Sequence, residues 1–304
     1  MKISSYNEWD KLHSIVVGSA KGANWPTNDP VFAKESEKTT WKDSPVPSGP
    51  VPQWIIDETE EDLDTLVSIL KSNSVEVIRP TDRNFVETDG MYNYCPRDRL
   101  LIAGDTIVDV AMMYPCRNQE IECLQEVIDG NKVISMPRDA GMVLDAANVC
   151  RLGDTWLFLN SWSGNFKSAL WLKEQFQHIT IEVCNFYAGV HIDSTIVPVR
   201  QGLVLINGHR VKKEQIPNAF DGWQILWVED VVEQGFHEYP YASKWIGMNM
   251  LVIDPHTVIV DASQKSLINS LEKRNFTVIP HTLRHARTLG GGLHCVTLDL
   301  HREG

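Results

Sequence analysis

No apolar run in the chain approaches the roughly 18–20 uninterrupted residues that a membrane span requires. The N-terminus, Met1-Lys2-Ile3-Ser4-Ser5-Tyr6-Asn7-Glu8, has no apolar h-region and carries an early acid, so it does not read as a signal peptide. Basic residues are the scarcer charge: 28 Lys and Arg against 40 Asp and Glu leave a net charge of -12. That sign argues against nucleic acid or an anionic membrane surface as partner and suits a cationic small molecule better. No G-x-G-x-x-G follows a strand-like run and no P-loop occurs, which argues against a doubly wound dinucleotide-binding domain. The six cysteines (Cys95, Cys116, Cys123, Cys150, Cys184 and Cys295) include no C-x-x-C pair. In a chain of 304 residues without a secretion signal, that scatter reads as reduced thiols in a cytoplasmic protein rather than a disulfide framework.

What is present is a rhythm of elements. Residues 12–18 form a first apolar run that reads as a strand closed by Gly18. Residues 19–52 are rich in Pro, Lys, Asn and Ser without a sustained period, which predicts a long surface excursion, a lid or a partner-contacting arm. A helix is predicted over 57–72: Asp57, Glu58, Glu60 and Glu61 favour its N-terminus, and Leu63, Leu66, Val67 and Leu70 share a face. It feeds a strand at 75–80. A second cycle has strands near 99–103 and 106–112, a helix near 117–128 and a strand at 132–136. A third has a strand at 155–159, a helix over 166–177 and a strand at 179–183. The fourth has strands near 195–199, 203–206 and 223–228. The last has strands at 250–253 and 257–260, a helix over 264–274 and a strand at 276–279. The unit strand, strand, helix, strand recurs at intervals of roughly fifty residues without detectable sequence identity. This predicts a single α/β domain over 1–304, built of modules around an axis.

The chemistry concentrates near the end, in Leu289-Gly290-Gly291-Gly292-Leu293-His294-Cys295-Val296-Thr297. Three consecutive glycines are kept where a backbone must bend sharply or approach something closely. Cys295 follows them at the mouth of the alternating run Val296–Leu300, a sensible place for a nucleophile, although on this stretch alone a free cysteine is more often simply buried. In His191-Ile192-Asp193 an extended backbone would turn the first and third side chains to one face, as a His–acid pair for proton transfer or as a plain surface pair. In Met142–Val149 only Asp145 and Asn148 are polar, and a carboxylate in such company needs a cation, a histidine or a turn. Asp98 directly precedes the strand Leu100-Leu101-Ile102. Spacing alone does not assemble these residues, but chemistry on a guanidinium requires their combination. Carboxylates accept the planar fork of N–H donors, a thiolate attacks the central carbon, and a histidine hands protons to the leaving amine.

In these residues the chain resembles the arginine:glycine amidinotransferase family, within the wider group of guanidine-modifying enzymes that includes arginine deiminase. The resemblance spans the whole length: Ser5-Tyr6-Asn7-Glu8-Trp9-Asp10, Pro96-Arg97-Asp98, Asp145-Ala146-Ala147, His191-Ile192-Asp193, Asn207 to Arg210, Ser243-Lys244-Trp245 with Met248-Asn249, and Leu289 to Cys295. It implies a five-bladed, pseudo-symmetric α/β propeller of ββαβ modules, the pentein fold, with the site on the central axis. It implies that Cys295 takes the amidino group from arginine and releases ornithine, that His191 is the acid/base, and that Asp145 orients it. Asp98 and Asp193 become the guanidinium clamp. Arg210 and Ser243 match positions that hold the amino-acid end of the donor, and Asn249 joins the substrate-binding set. The implied reaction is ping-pong and needs no metal or organic cofactor; homodimers are common in the family.

Three positions depart from the family pattern. Asn148 stands where a second aspartate is usual, the segment between Asp98 and Asp145 is much shorter than in the animal enzymes, and Val190 precedes His191 where the glycine-using animal enzyme has methionine. The acceptor expected most simply is glycine, giving guanidinoacetate, with another amine as the alternative. Two other readings remain: a deiminase-type hydrolase giving citrulline and ammonia, and a catalytically silent binding protein on the same fold.

Overall fold

The computed structural model describes residues 2–38 and 46–304, and its framework is five three-stranded sheets of one design. In each, a central strand pairs antiparallel with one neighbour and parallel with the other. The second module sets Thr106–Asp109 between Leu100–Ala103 and Lys132–Ser135, and the third sets Thr155–Leu159 between Val149–Arg151 and Thr180–Cys184. The fourth centres on Leu203–Asn207, between Ile196–Arg200 and Gln224–Val228, and the fifth on Thr257–Asp261, between Leu251–Asp254 and Thr277–His281. The first module closes the ring: Leu12–Val17 takes Glu76–Ile78 as parallel partner and Thr297–Arg302, from the far end of the chain, as antiparallel partner. The fold is thus the pentein propeller of ββαβ modules. The central strands are buried almost throughout, which is why they read as continuous apolar runs rather than as alternating ones.

A parallel pair cannot be joined by a tight turn, so each module needs a crossover. The first module uses the helix Gln53–Ser72, four residues longer at its start than the acids predict. Pro52 precedes it, Ile55 and Ile56 extend the buried stripe of Leu63, Leu66 and Leu70, and no acid lies in its first turn. This stripe belongs to the same core as Cys95, Leu289, Leu293 and Cys295, so the first crossover supports the cysteine turn directly. The third crossover, Phe166–Gln175, is capped by Asn165, whose side chain accepts from the amide of Ser168. The helix predicted near 117–128 is instead a 3₁₀ segment, Pro115–Leu124, followed by one α-turn, Gln125–Ile128. The 3₁₀ spacing eclipses residues three apart, and that brings Arg117 Nε to within 2.8 Å of Glu120 Oε1 in a buried pair.

The excursion predicted over 19–52 is structured where it is described. Asn24–Trp25 pairs with Gly49–Pro50, a helix spans Pro30–Lys38, and Trp25 and Phe32 are buried in the core; residues 39–45 lie outside the described residues. Proline and lysine enrichment hid an element pinned by two aromatic anchors. All six cysteines are free, and no helix among the described residues is long and apolar enough to cross a membrane.

Candidate active site

Strand Thr297–Arg302 positions the thiol. Cys295 sits in the turn that enters it, closed by Val296 N to Gly292 O at 3.0 Å and Thr297 Oγ1 to Leu293 O at 2.9 Å. The preceding glycines are there for space. A Cβ on Gly291 would fall against Cys95 Sγ, and one on Gly292 would lie 2.8 Å from Asn249 Cβ. Asn249 holds the turn from the other side. Its Oδ1 accepts from the amides of His294 (2.8 Å) and Cys295 (3.1 Å), and its Nδ2 donates to Asp193 O at 3.4 Å. Its carboxamide is therefore spent on the backbone of the cysteine turn and of the Asp193 loop, behind the cavity wall.

His191 approaches from the third-to-fourth connection. The expected extended strand is absent here: residues 191–195 form a turn, and His191 has φ of +55°, a left-handed conformation that a β-carbon disfavours. Three hydrogen bonds enforce it. Asn148 Oδ1 accepts from His191 N (3.1 Å), Tyr187 Oη donates to His191 O (2.6 Å), and Ala147 O accepts from Ile192 N (3.1 Å). Asn148, read as a departure near the site, is thus the residue that locks the histidine loop. His191 and Asp193 do face the same cavity, but through a turn rather than by strand alternation.

The imidazole lies between two carboxylates, with Nε2 3.1 Å from Asp145 Oδ2 and Nδ1 3.6 Å from Asp98 Oδ1. Burial works against its charge, but Asp98, Asp145 and Asp193 outweigh it and push its pKa up to about 9, so the ring is cationic at neutral pH. Asp145 is fixed in turn by Met113 N, which donates to its Oδ1 at 2.9 Å. Asp98 Oδ2 accepts from Arg117 Nη1 at 2.8 Å, while its buried Oδ1 has no hydrogen-bond partner among the described residues; burial raises its pKa. Asp193 Oδ2 receives both Cys295 Sγ (3.3 Å) and His294 Nδ1 (2.9 Å). Burial opposes its charge, but the bond from His294 and the fields of His294 and His191 hold it down at about 2. The thiol is in the opposite situation. Burial, Asp193, Cys95 and Asp98 all push the Cys295 pKa up, so without a cation beside it the sulfur keeps its proton.

These groups line one cavity of about 330 Å³, whose wall includes Asp98, Asp145, His191, Asp193 and Cys295, with Arg210 and Ser243 further out. Arg210 donates from Nη1 to Ser194 Oγ (3.1 Å) and Thr195 Oγ1 (2.8 Å) and stacks 3.8 Å over Tyr187, yet pairs with no carboxylate among the described residues. Ser243 is exposed at the rim beside Lys244. Of the candidate residues, all but Asn249 are brought to this wall. Sequence reasoning missed Arg117, which neutralises one side of Asp98 and is itself held by Glu120. Its partner lies 19 positions away in an unpatterned stretch, so no local signal pointed to it.

No protein-family model matches the chain. It is 39% identical to inosamine-phosphate amidinotransferase 1 of Streptomyces griseus, over 99% of this chain and 97% of that protein. That alignment runs to 336 positions against 304 residues, so the relative carries segments this chain lacks. L-arginine:L-lysine amidinotransferase of Pseudomonas savastanoi pv. phaseolicola is 28% identical over 99% of this chain and 95% of its own length. Among solved structures, the inosamine-phosphate amidinotransferase StrB1 of Streptomyces griseus superposes with a TM-score of 0.92 at 38% identity, covering 99% and 97% of the two chains. A dimethylarginine dimethylaminohydrolase of Pseudomonas aeruginosa, at 14% identity and a TM-score of 0.67, shares the fold alone.

Proposed function

The chain belongs to the amidinotransferase family, and on that premise we propose that Cys295 carries the amidino group of L-arginine to an amine that bears an anionic group. The observation that carries the reading is the convergence of one thiol, one histidine cation and three carboxylates on a single cavity. The open Oδ1 of Asp98 and the carboxylate of Asp193 suit the N–H fork of a guanidinium, as charge-assisted bonds. Docking that cation beside Sγ reverses the field that keeps the thiol protonated, so the nucleophile forms only when donor is bound. The thiol proton passes to solvent as the donor docks, Sγ attacks the central carbon, and the His191 cation on the same cavity wall protonates the departing ornithine nitrogen. Neutral His191 then takes a proton from the incoming amine as that amine displaces sulfur.

The acceptor follows from the order of events. Ornithine leaves before the amine binds, so Arg210, which pairs with no carboxylate among the described residues, is free to hold an anion on each half-reaction. Lys244 at the rim adds a second cation. A phosphorylated inosamine, the substrate class named for the relative at 39% identity, meets that requirement, and the cavity exceeds what glycine alone would fill. Glycine, the simplest acceptor expected from sequence, is one arm of the test. Incubation with arginine alone should release at most one equivalent of ornithine per enzyme, glycine should not extend it, and an amino-cyclitol phosphate should bring continuous turnover. Continuous turnover with glycine alone would reassign the acceptor, and citrulline without any amine would make the protein a hydrolase.

The clamp has its own test. Asp193→Asn, made in a Cys295→Ala background so that nothing turns over, should weaken arginine binding by about 1.5–3 kcal/mol. Calorimetric titration reads it directly, and an unchanged affinity would remove Asp193 from the clamp.

A further inference from the structure

His294 precedes Cys295 and is not on the wall of the substrate cavity; it stands behind Asp193. Its Nδ1 lies 2.9 Å from Asp193 Oδ2, the same oxygen that accepts from Cys295 Sγ. Its Nε2 lies 3.4 Å from Glu8 Oε2, 286 positions away in sequence. A neutral imidazole has one lone pair, and here it would face a carboxylate whichever nitrogen carried it. Only the doubly protonated ring offers a donor to both oxygens.

Glu8 is itself the outer end of a buried network. It receives Arg151 Nε at 2.9 Å and Nη2 at 3.0 Å, and Arg151 also reaches Asp299 Oδ2 at 2.7 Å. Arg97 and Arg302 pair with the same aspartate. The chain of contacts therefore runs from Asp299 and Arg151 through Glu8 and His294 to the oxygen beside the nucleophile.

We infer that His294 is a positioning residue of the amidino-transfer reaction: held by Glu8 as an imidazolium, it fixes one oxygen of Asp193 as an oriented anion and leaves the other side of that carboxylate to the guanidinium. This rests on the proposed transfer through Cys295. The groups that act on Asp193 are His294, His191, Asn249, Cys295, Cys150, Arg210 and Tyr187. Those that act on His294 are Asp193, Glu8 and Arg97. Burial and Arg97 disfavour its charge, and the two carboxylates prevail and raise its pKa. No other cation among the described residues hydrogen-bonds to Asp193, so removal of His294 leaves the carboxylate to titrate nearer the working range. The backbone of the turn is unaffected, because Asn249 holds the amides of residues 294 and 295 whatever side chain precedes the cysteine.

The experiment is a pH profile of kcat and KM for arginine in the wild type, His294→Asn and His294→Ala, with imidazole nitrogens of the wild type followed by NMR. In His294→Ala the acid limb of kcat/KM should move up by about one to three pH units, with the loss falling mainly on KM below neutrality. His294→Asn, whose amide can still donate to Asp193 without the charge, should recover part of that shift. Both nitrogens of His294 should be protonated at pH 7, and should cease to be so in Asp193→Asn. Profiles that superpose on the wild type, with only a lower melting temperature, would reduce His294 to a packing residue and overturn the inference. If the wild type released no ornithine with any amine, the transfer reading would fail on its own account. The imidazole signal would still decide His294, since a neutral ring at pH 7 contradicts the inference and an imidazolium upholds its electrostatic core.

Discussion

Cys295→Ala should lower ornithine release by at least about 10⁴-fold while the protein keeps its melting temperature within a few degrees. The side chain loses only its sulfur, at a position where the backbone is held independently by Asn249 and by the bond from Val296 N to Gly292 O. The loss of activity has a chemical origin. A guanidinium carbon is a poor electrophile, and without a covalent intermediate the acceptor amine would have to displace ornithine in one step. Cys295→Ser tests the same point more strictly. A hydroxyl is nearly isosteric and can keep the bond to Asp193 Oδ2, but an alcohol cannot be ionised by the field of one guanidinium, so it should be equally inactive. Near-normal turnover in either variant would transfer the role to another group, and the buried Cys95 beside Gly291 is the first place to look.

The second large effect concerns the proton. His191→Gln should reduce kcat by about 10²–10⁴-fold, because ornithine then leaves as an unprotonated amine anion equivalent. It should also change the pH profile. The wild-type ring is charged up to about pH 9, so the step that releases ornithine should hold steady through neutrality and decline as pH rises through that value. In His191→Gln that decline should vanish. The same linkage has a stability side with a definite sign. A histidine whose folded pKa is raised contributes stability that is fully present below its unfolded value of about 6.5 and lost as pH climbs to about 9. Wild-type melting temperature should therefore fall across that window more steeply than that of His191→Gln. Single-turnover ornithine release, measured with arginine alone, isolates the step from the acceptor, whose own amine must be neutral to attack. A wild-type rate that keeps rising above pH 9 would remove His191 as the acid.

Much of this site was legible before the fold was known, for reasons that can be named. Asp145 stood out because it is a carboxylate in an apolar run, and the structure gives it the histidine that such a residue needs. Cys295 stood out because three glycines precede it, and two of them prove to be required by close approach of Cys95 and Asn249. The five modules were legible because each central strand is buried on both sides and carries no alternation. Other features left no local trace. The left-handed backbone of His191 depends on Asn148 and Tyr187, 43 and 4 positions away, and a turn rather than strand alternation brings His191 and Asp193 to one cavity. The 3₁₀ segment Pro115–Leu124 carries no apolar period, because its purpose is to hold Arg117 against Asp98 and Glu120. His294 was overshadowed by the cysteine next to it, and its partner Glu8 lies at the other end of the chain.

Brief exposure of the protein to arginine without any amine, followed by acid quench and peptide mass spectrometry, addresses the central claim most directly. The account predicts that the peptide containing Cys295 becomes heavier by one amidino group, in step with ornithine released, and that a competent amine discharges it. An unmodified Cys295 peptide under conditions where ornithine is formed would contradict the covalent mechanism.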